Sequence, residues 1–316
     1  MTVKKTLKAA AAVTGAAALT TAAGAWCGYR VAFRGDPLRQ SPIREIPGGK
    51  DYDDYRDRRL KNIDTLLETP YERVTIRSHD GLKLVGKFYE GRPGAPLILF
   101  FHGYRSTAER DGSGGFQLCR EKGWHILMPD QRAHGESEGK TITFGVRERQ
   151  DCLAWARYAA YRCGSETPIV LWGISMGAAT VLMAADLPLP ETVRGIVADC
   201  GYDTPAGILK ETLRRWHWPL FPMYPFAALG ARWFGGFSVT ETSALDCVRR
   251  ARLPILLIHG EADHVVPCAM ARSLRDACAS QVELLTVPGA GHGISGYVDM
   301  PAYQKALLRF MEKHMA

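Results

Sequence analysis

The residues with chemical promise begin at Gly173-Ile174-Ser175-Met176-Gly177. A serine hydroxyl becomes a useful nucleophile only when a base takes its proton and the chain presents it at an open corner. Glycines on either side permit such a corner, where a strand turns sharply into a helix. The context fits: Pro168–Trp172 reads as a buried strand and Ala178–Ala185 as a helix. In a chain with 32 glycines, however, the same pattern also arises as a plain turn that needs glycine for steric reasons. The chemistry therefore requires a base, an acid to orient it, and donors for an oxyanion.

Nine histidines are available as the base. His292 lies in Gly289-Ala290-Gly291-His292-Gly293, a glycine-rich loop after the last apolar strand, where the ring can reach a serine. Alone it reads equally well as a surface histidine in a glycine turn. For the acid, Asp263 follows the penultimate strand in the segment Leu257–Pro267, with Glu261 as second choice. A carboxylate there would hold the imidazole in one tautomer and stabilise its charged form. His259 and His264, in the same segment, read as local structural groups. For the oxyanion, Leu97–Phe101 runs into His102-Gly103-Tyr104. The backbone N–H of Tyr104 would pair with that of Met176, the residue after the serine. His102 reads as a brace of this loop.

Positioning these groups takes a regular scaffold. Tyr71–Arg77 and Leu82–Tyr89 flank His79-Asp80-Gly81, a hairpin signal. Apolar strands follow at Pro96–Phe101, His125–Pro129, Ile169–Trp172, Gly195–Asp199, Ile255–His259 and Glu283–Val287. Helical patterns at Arg147–Tyr161, Ala178–Leu187, Ala269–Ala279 and Ala302–His314 alternate with them. Continuous apolar strands alternating with helices predict an α/β fold, a parallel sheet covered on both faces. The candidate residues all fall at strand ends, where ligand sites of such sheets lie. One segment breaks the rhythm. The stretch from Trp216 to Gly236 holds Trp216, Trp218, Phe221, Tyr224, Phe226, Trp233 and Phe234, and reads as a small cap, about 202–245, over an apolar cleft. An inserted helical pair packed on the sheet edge accounts for the same residues without a cleft.

Composition narrows the class. The chain is 46% hydrophobic and 23% charged, which is globular and allows a large core. Its net charge of +7 is scattered, with no basic block interleaved with aromatics, so nucleic acid is not an expected partner. The eight cysteines form no C-x-x-C and no H-E-x-x-H is present, so neither a metal nor a cofactor is expected. The segment Gly135–Thr141 resembles a phosphate-binding loop, but His134 stands where the first glycine is required. At the N-terminus, Lys4, Lys5 and Lys8 precede Ala9–Trp26, 18 residues without charge. Residues 1–26 are therefore expected to be a signal peptide, with Ala23-Gly24-Ala25 as cleavage site, or a membrane anchor. Arg30, Arg34 and Arg39 follow, so charge does not fix an orientation. Residues 27–70, with Pro37, Pro42 and Pro47, read as a linker and a short helix near Leu60–Leu67, ahead of the main domain at 71–316.

Taken together, His102-Gly103, Asp130–Ser137, Gly173–Gly177, Gly260–Pro267 and Gly291-His292-Gly293 resemble the α/β-hydrolase superfamily in residues, order and spacing over about Tyr71–Lys313. Within it the chain is similar to the serine-aminopeptidase-type and BEM46-like branch, with its N-terminal apolar segment and short cap. The resemblance implies a mostly parallel, eight-stranded sheet with a cap insertion. It also implies that Ser175, Asp263 and His292 are catalytic, and that Asp130, Arg132 and His134 brace a loop near them. Ala133 departs from the family, which often has glycine there. The expected activity is hydrolysis of a small-molecule or lipid-like acyl ester through an acyl-enzyme. A peptidase or acyl-thioesterase would use the same residues. A membrane-anchored binding protein without catalysis is the alternative of another class, since a fold does not fix a function.

Overall fold

The apolar runs form one sheet of eight strands in the computed structural model, which describes residues 2–35 and 42–315. In chain order the strands are β1 (Glu72–Arg77), β2 (Lys83–Tyr89), β3 (Leu97–Phe101), β4 (His125–Pro129), β5 (Ile169–Ile174), β6 (Val193–Asp199), β7 (Ile255–Gly260) and β8 (Val282–Val287). Their spatial order is β1-β2-β4-β3-β5-β6-β7-β8. The hairpin β1–β2 and the pair β2–β4 are antiparallel, and every other pair is parallel. β3 and β7 are buried at every residue, which is why they are apolar without alternation.

The helices are α1 (Thr2–Ala32), α2 (Lys50–Asp53), α3 (Arg56–Glu68), α4 (Ala108–Lys122), α5 (Glu148–Cys163), α6 (Met176–Met183), α7 (Pro205–Arg215), α8 (Leu220–Trp233), α9 (Ala244–Val248), α10 (Cys268–Ala277), α11 (Ser295–Val298) and α12 (Met300–His314). One core forms between the sheet and α5, α6, α9 and α10, with Trp155, Leu182 and Leu274 buried in it. The other forms against α3, α4 and α12, around Leu66, Phe116 and Leu307. Helix starts follow from local chemistry. Thr107 accepts the Arg110 N–H at 3.2 Å to begin α4, and Thr204 accepts the Gly207 N–H at 2.9 Å to begin α7 behind Pro205. α7 and α8 occupy the segment read as a cap.

The segment expected to end at residue 26 lies within one helix. α1 runs through it to Ala32, and Ala25, Tyr29 and Phe33 are buried at four-residue spacing. This face lies on α8 at backbone contact. A Cβ added to Gly28 would stand 2.8 Å from the Ala227 Cα, and one on Gly230 would stand 2.3 Å from the Ala25 oxygen. The small residues on this face let the two helices approach. The next residues are tied in as well: the Ile142 N–H donates to the Phe33 oxygen at 2.7 Å, and the Gly35 N–H to the Lys140 oxygen at 3.0 Å. Pro37 and Arg39 of the linker reading lie outside the described residues. No helix among the described residues is long and apolar enough to cross a membrane, because alanine and threonine dominate α1.

Candidate active site

The corner at Ser175 follows from what flanks it. Its backbone has φ 55° and ψ −118°, a conformation that costs a non-glycine residue of order 1–3 kcal/mol. The neighbouring glycines are obligatory. A Cβ on Gly173 would lie 2.2 Å from the Gly177 backbone, and one on Gly177 would lie 2.0 Å from the Phe101 oxygen. The Ser175 N–H donates to the Asp199 oxygen at 2.8 Å, which ties the corner to β6. The side chain thus projects beyond the end of β5 with α6 starting directly behind it.

The structure brings His292 and Asp263 to it. His292 Nε2 stands 2.8 Å from Ser175 Oγ, and His292 Nδ1 stands 2.7 Å from Asp263 Oδ2. Asp263 comes from the loop after β7 and His292 from the loop after β8. The second oxygen of Asp263 accepts the N–H groups of Val265 and Val266 at 2.7 and 2.8 Å, which fixes the carboxylate. Burial opposes the Asp263 charge, but the rings of His292 and His259 and the backbone donors hold its pKa well below the usual carboxylate range. Burial likewise pulls the His292 ring down, yet Asp263 outweighs it and the pKa stands above the ordinary 6.5. Glu261 points elsewhere, 3.9 Å from Arg272 on an exposed edge. His259 is buried with Nε2 donating to the Val266 oxygen at 2.8 Å, a local role as read.

Tyr104 and Met176 line a cavity that also includes Ser175. Met176 opens α6, and Gly103 is so close that a Cβ on it would stand 3.3 Å from the Ser175 Cβ. The Tyr104 loop is held by buried polar groups. His102 accepts the Gln131 N–H at Nε2, 3.0 Å, and donates from Nδ1 to the Gly103 oxygen at 2.8 Å. His134 accepts the Arg105 N–H at 3.0 Å and donates to the Arg132 oxygen at 3.0 Å. Asp130 accepts the Glu136 N–H at 2.9 Å. Arg132 is 2% exposed and makes paired bonds to Asp151 at 2.5 and 2.7 Å and to Asp80 at 2.8 and 3.1 Å. Ala133 takes φ 63°, the left-handed backbone that explains why glycine suits this position elsewhere.

Two cavities meet at Ser175. The larger, about 490 Å³, is apolar and is lined by Met176, Leu209, Trp216, Trp218 and Phe226, with Gly24, Gly28 and Val31 of α1 as one wall. The smaller, about 120 Å³, is of mixed polarity and adds His292, Tyr52, Arg59 and Asp111. Cys200, Asp263 and His292 place metal-ligand-type atoms within 4.8 Å of one another, and both nitrogens of His292 are engaged by Asp263 and Ser175. His79, Asp80 and Asp151 also cluster, with the Arg132 guanidinium occupying the two carboxylates.

Three contributors escaped the sequence reading. Tyr52 of α2 donates its hydroxyl to the His292 oxygen at 3.1 Å and so holds the histidine loop. α1 walls the larger cavity. Arg59 lines the smaller one, and here a signal existed. It lies four residues before Ile63 and seven before Leu66, on the buried stripe of α3, a cation in an apolar register.

Residues 96–252 match the family model described as alpha/beta hydrolase fold, and residues 231–314 match one described as TAP-like protein. With the eight-stranded sheet, this places the chain in the α/β-hydrolase superfamily. It is 27% identical over 196 residues to the uncharacterized protein YqkD of Bacillus subtilis, over 62% of this chain and 64% of that protein. It is 28% identical over 218 residues to protein ABHD12B of Homo sapiens, over 63% of this chain and 56% of that protein. The chain thus spans less than two thirds of the length of these curated relatives. Among solved structures, the Pyrococcus furiosus esterase Pf2001 superposes with a TM-score of 0.67 at 22% identity, over 90% of this chain and 99% of that one. That likeness is one of fold.

Proposed function

We propose that the protein is a serine hydrolase that cleaves carboxylic esters of apolar acyl groups. The observation that carries this reading is the hydrogen-bonded line from Asp263 through His292 to Ser175, set on a positive-φ corner that opens into an apolar cavity. In this reading His292 takes the Ser175 proton as the oxygen attacks the acyl carbon. The backbone N–H groups of Tyr104 and Met176 receive the oxyanion. Collapse of the tetrahedral intermediate breaks the ester bond, and the alcohol leaves with the proton from His292. Water, deprotonated by the same ring, then attacks the acyl-enzyme and releases the acid. The cavity volume of about 490 Å³ suits a medium or long acyl chain.

The setting of the cavity supports a lipid-like substrate met at a membrane surface. Trp216 and Trp218, which line the cavity, are about half exposed, and Phe221 beside them is 81% exposed. Trp26, Trp233 and Phe234 are also exposed, with Trp26 packed on Phe234, and Arg214, Arg215 and Arg232 lie on α7 and α8. Aromatic groups beside cations suit the headgroup region of an anionic bilayer.

The test of the hydrolase reading is labelling of the full chain with a fluorophosphonate, with peptide mass spectrometry to locate the adduct. An adduct on Ser175, absent from Ser175→Ala, is the expected result. A folded protein that takes no label would overturn the reading.

A further inference from the structure

The smaller cavity holds a buried cation that nothing in the proposed chemistry uses. Arg59 is 7% exposed, and its Nε and Nη1 are buried without a hydrogen-bond partner. Its guanidinium carbon stands 5.7 Å from the ring centres of both Tyr52 and Tyr297. Those rings attract the charge through their faces but accept none of its N–H groups in the guanidinium plane. The other charges lining the cavity are already engaged. Arg110 donates to Ser106 Oγ at 3.0 Å and lies 3.6 Å from Asp111, and Asp111 accepts the Gly103 N–H at 2.7 Å. Asp111 therefore offsets Arg110, and the positive charge of Arg59 is left over. An unpaired charge taken out of water is costly, and a buried polar group without a partner calls for an explanation, a bound ion or a role in the reaction among them.

The position of this cavity says which. Of the two cavities, His292 lines only the smaller. His292 hands its proton to the leaving group, so the leaving group must lie on that side while the acyl chain fills the larger one. We propose that Arg59 binds an anionic group, a carboxylate or a phosphate, carried by the leaving alcohol of the ester. The planar fork of donors suits either oxyanion. A cavity of about 120 Å³ accommodates a small polar headgroup and excludes a second chain. Arg59 is then a specificity residue: it makes no bond and breaks none, and the ester, water, acid and alcohol balance as before. This inference rests on the serine-hydrolase reading above.

The experiment compares four octanoate esters in two pairs, using the full chain. One pair has 3-hydroxypropanoate against 3-hydroxypropanamide as the alcohol, and the other has glycerol 3-phosphate against glycerol. The readout is the ratio of kcat/KM for the charged ester to that for its neutral partner. A ratio of about tenfold or more in at least one pair is expected, in line with a hydrogen bond to a charged group. The favoured pair tells a carboxylate from a phosphate. Arg59→Met should bring that ratio to near one, and Arg59→Lys should leave it between the two. A merely structural brace would lower both members of a pair together and leave the ratio alone. Ratios near one in the unchanged protein, or an undiminished ratio in Arg59→Met, overturn the anion site while the hydrolase reading stands. If Arg59→Met does not fold, an undiminished ratio in Arg59→Lys overturns it equally. No turnover of any ester together with no adduct on Ser175 removes the hydrolase reading, and this inference with it.

Discussion

The ring of His292 feels two opposing influences, burial that favours the neutral form and Asp263 that favours the charged one, and Asp263 prevails. The consequence is a pH profile. A raised pKa keeps the ring protonated, and so unable to act as base, to a higher pH. On a neutral ester kcat/KM is expected to rise through a midpoint above 6.5. Asp263→Asn removes the charge that raises the pKa, so burial dominates and the midpoint moves down, while kcat falls about 10⁴-fold through the wrong tautomer. Rate profiles of the two proteins check both effects, and a midpoint that stays in place would contradict the geometry at Asp263. Glu261→Gln, on an exposed edge, should leave kcat close to that of the unchanged protein. At this scale Ser175, Asp263 and His292 were legible because each sits in a short glycine-marked segment at the end of an apolar run. Tyr52 was not assigned because its contact with the site depends on how α2 packs, and Arg59, though marked as a cation on the apolar stripe of α3, could not be placed at the site without knowing how that helix packs.

Secondary structure was readable where burial alone shapes composition. The strands β3, β4 and β7 emerge within a residue of the bounds read from their apolar runs, since a strand covered on both faces has no freedom to be polar. α1 is the opposite case. A run of alanines and glycines looks the same whether its partner is lipid or another helix, and the partner here, α8, lies almost 200 residues further along. The packing itself supplies the test. Gly28→Leu places a side chain where the Ala227 backbone lies at 2.8 Å from the first added carbon. The helices must separate, at a cost of about 1–3 kcal/mol. Since Gly28 and Val31 line the acyl cavity, hydrolysis of long-chain esters should fall more than that of acetate esters. Chain-length profiles of kcat/KM together with a denaturant titration read both parts. Equal loss at every chain length would mean that α1 does not shape the cavity in solution.

For the whole molecule, the fold class followed from the alternation of strands and helices, but the shape of the cap did not. Which aromatics turn inward depends on the path of the chain between α7 and α8, and the sequence carries no periodic sign of it. Phe226 lines the cavity whereas Phe221 stands in the open. The membrane-surface reading belongs to this scale. The full chain is expected to sediment with anionic phospholipid vesicles, and Phe221→Ser combined with Trp218→Ser is expected to weaken that binding about tenfold or more, the equivalent of one buried aromatic side chain. Binding that is indifferent to the double substitution would place the contact elsewhere.

The wall that α1 gives to the acyl cavity also has a history within each molecule. Residues 24–31 are synthesised long before α8, against which they seat. At ordinary rates of elongation the interval is roughly 10–40 s. Throughout it the nascent chain carries a helix whose small-residue stripe has no surface to meet. The nucleophile corner at Ser175 is also synthesised before α8, whereas β7 and β8 of the sheet follow it. Asp263, His292 and the cavity-lining Val265 and Val266 come later still, so a ribosome-bound chain halted before residue 220 would have its serine but neither its base nor a container for the substrate.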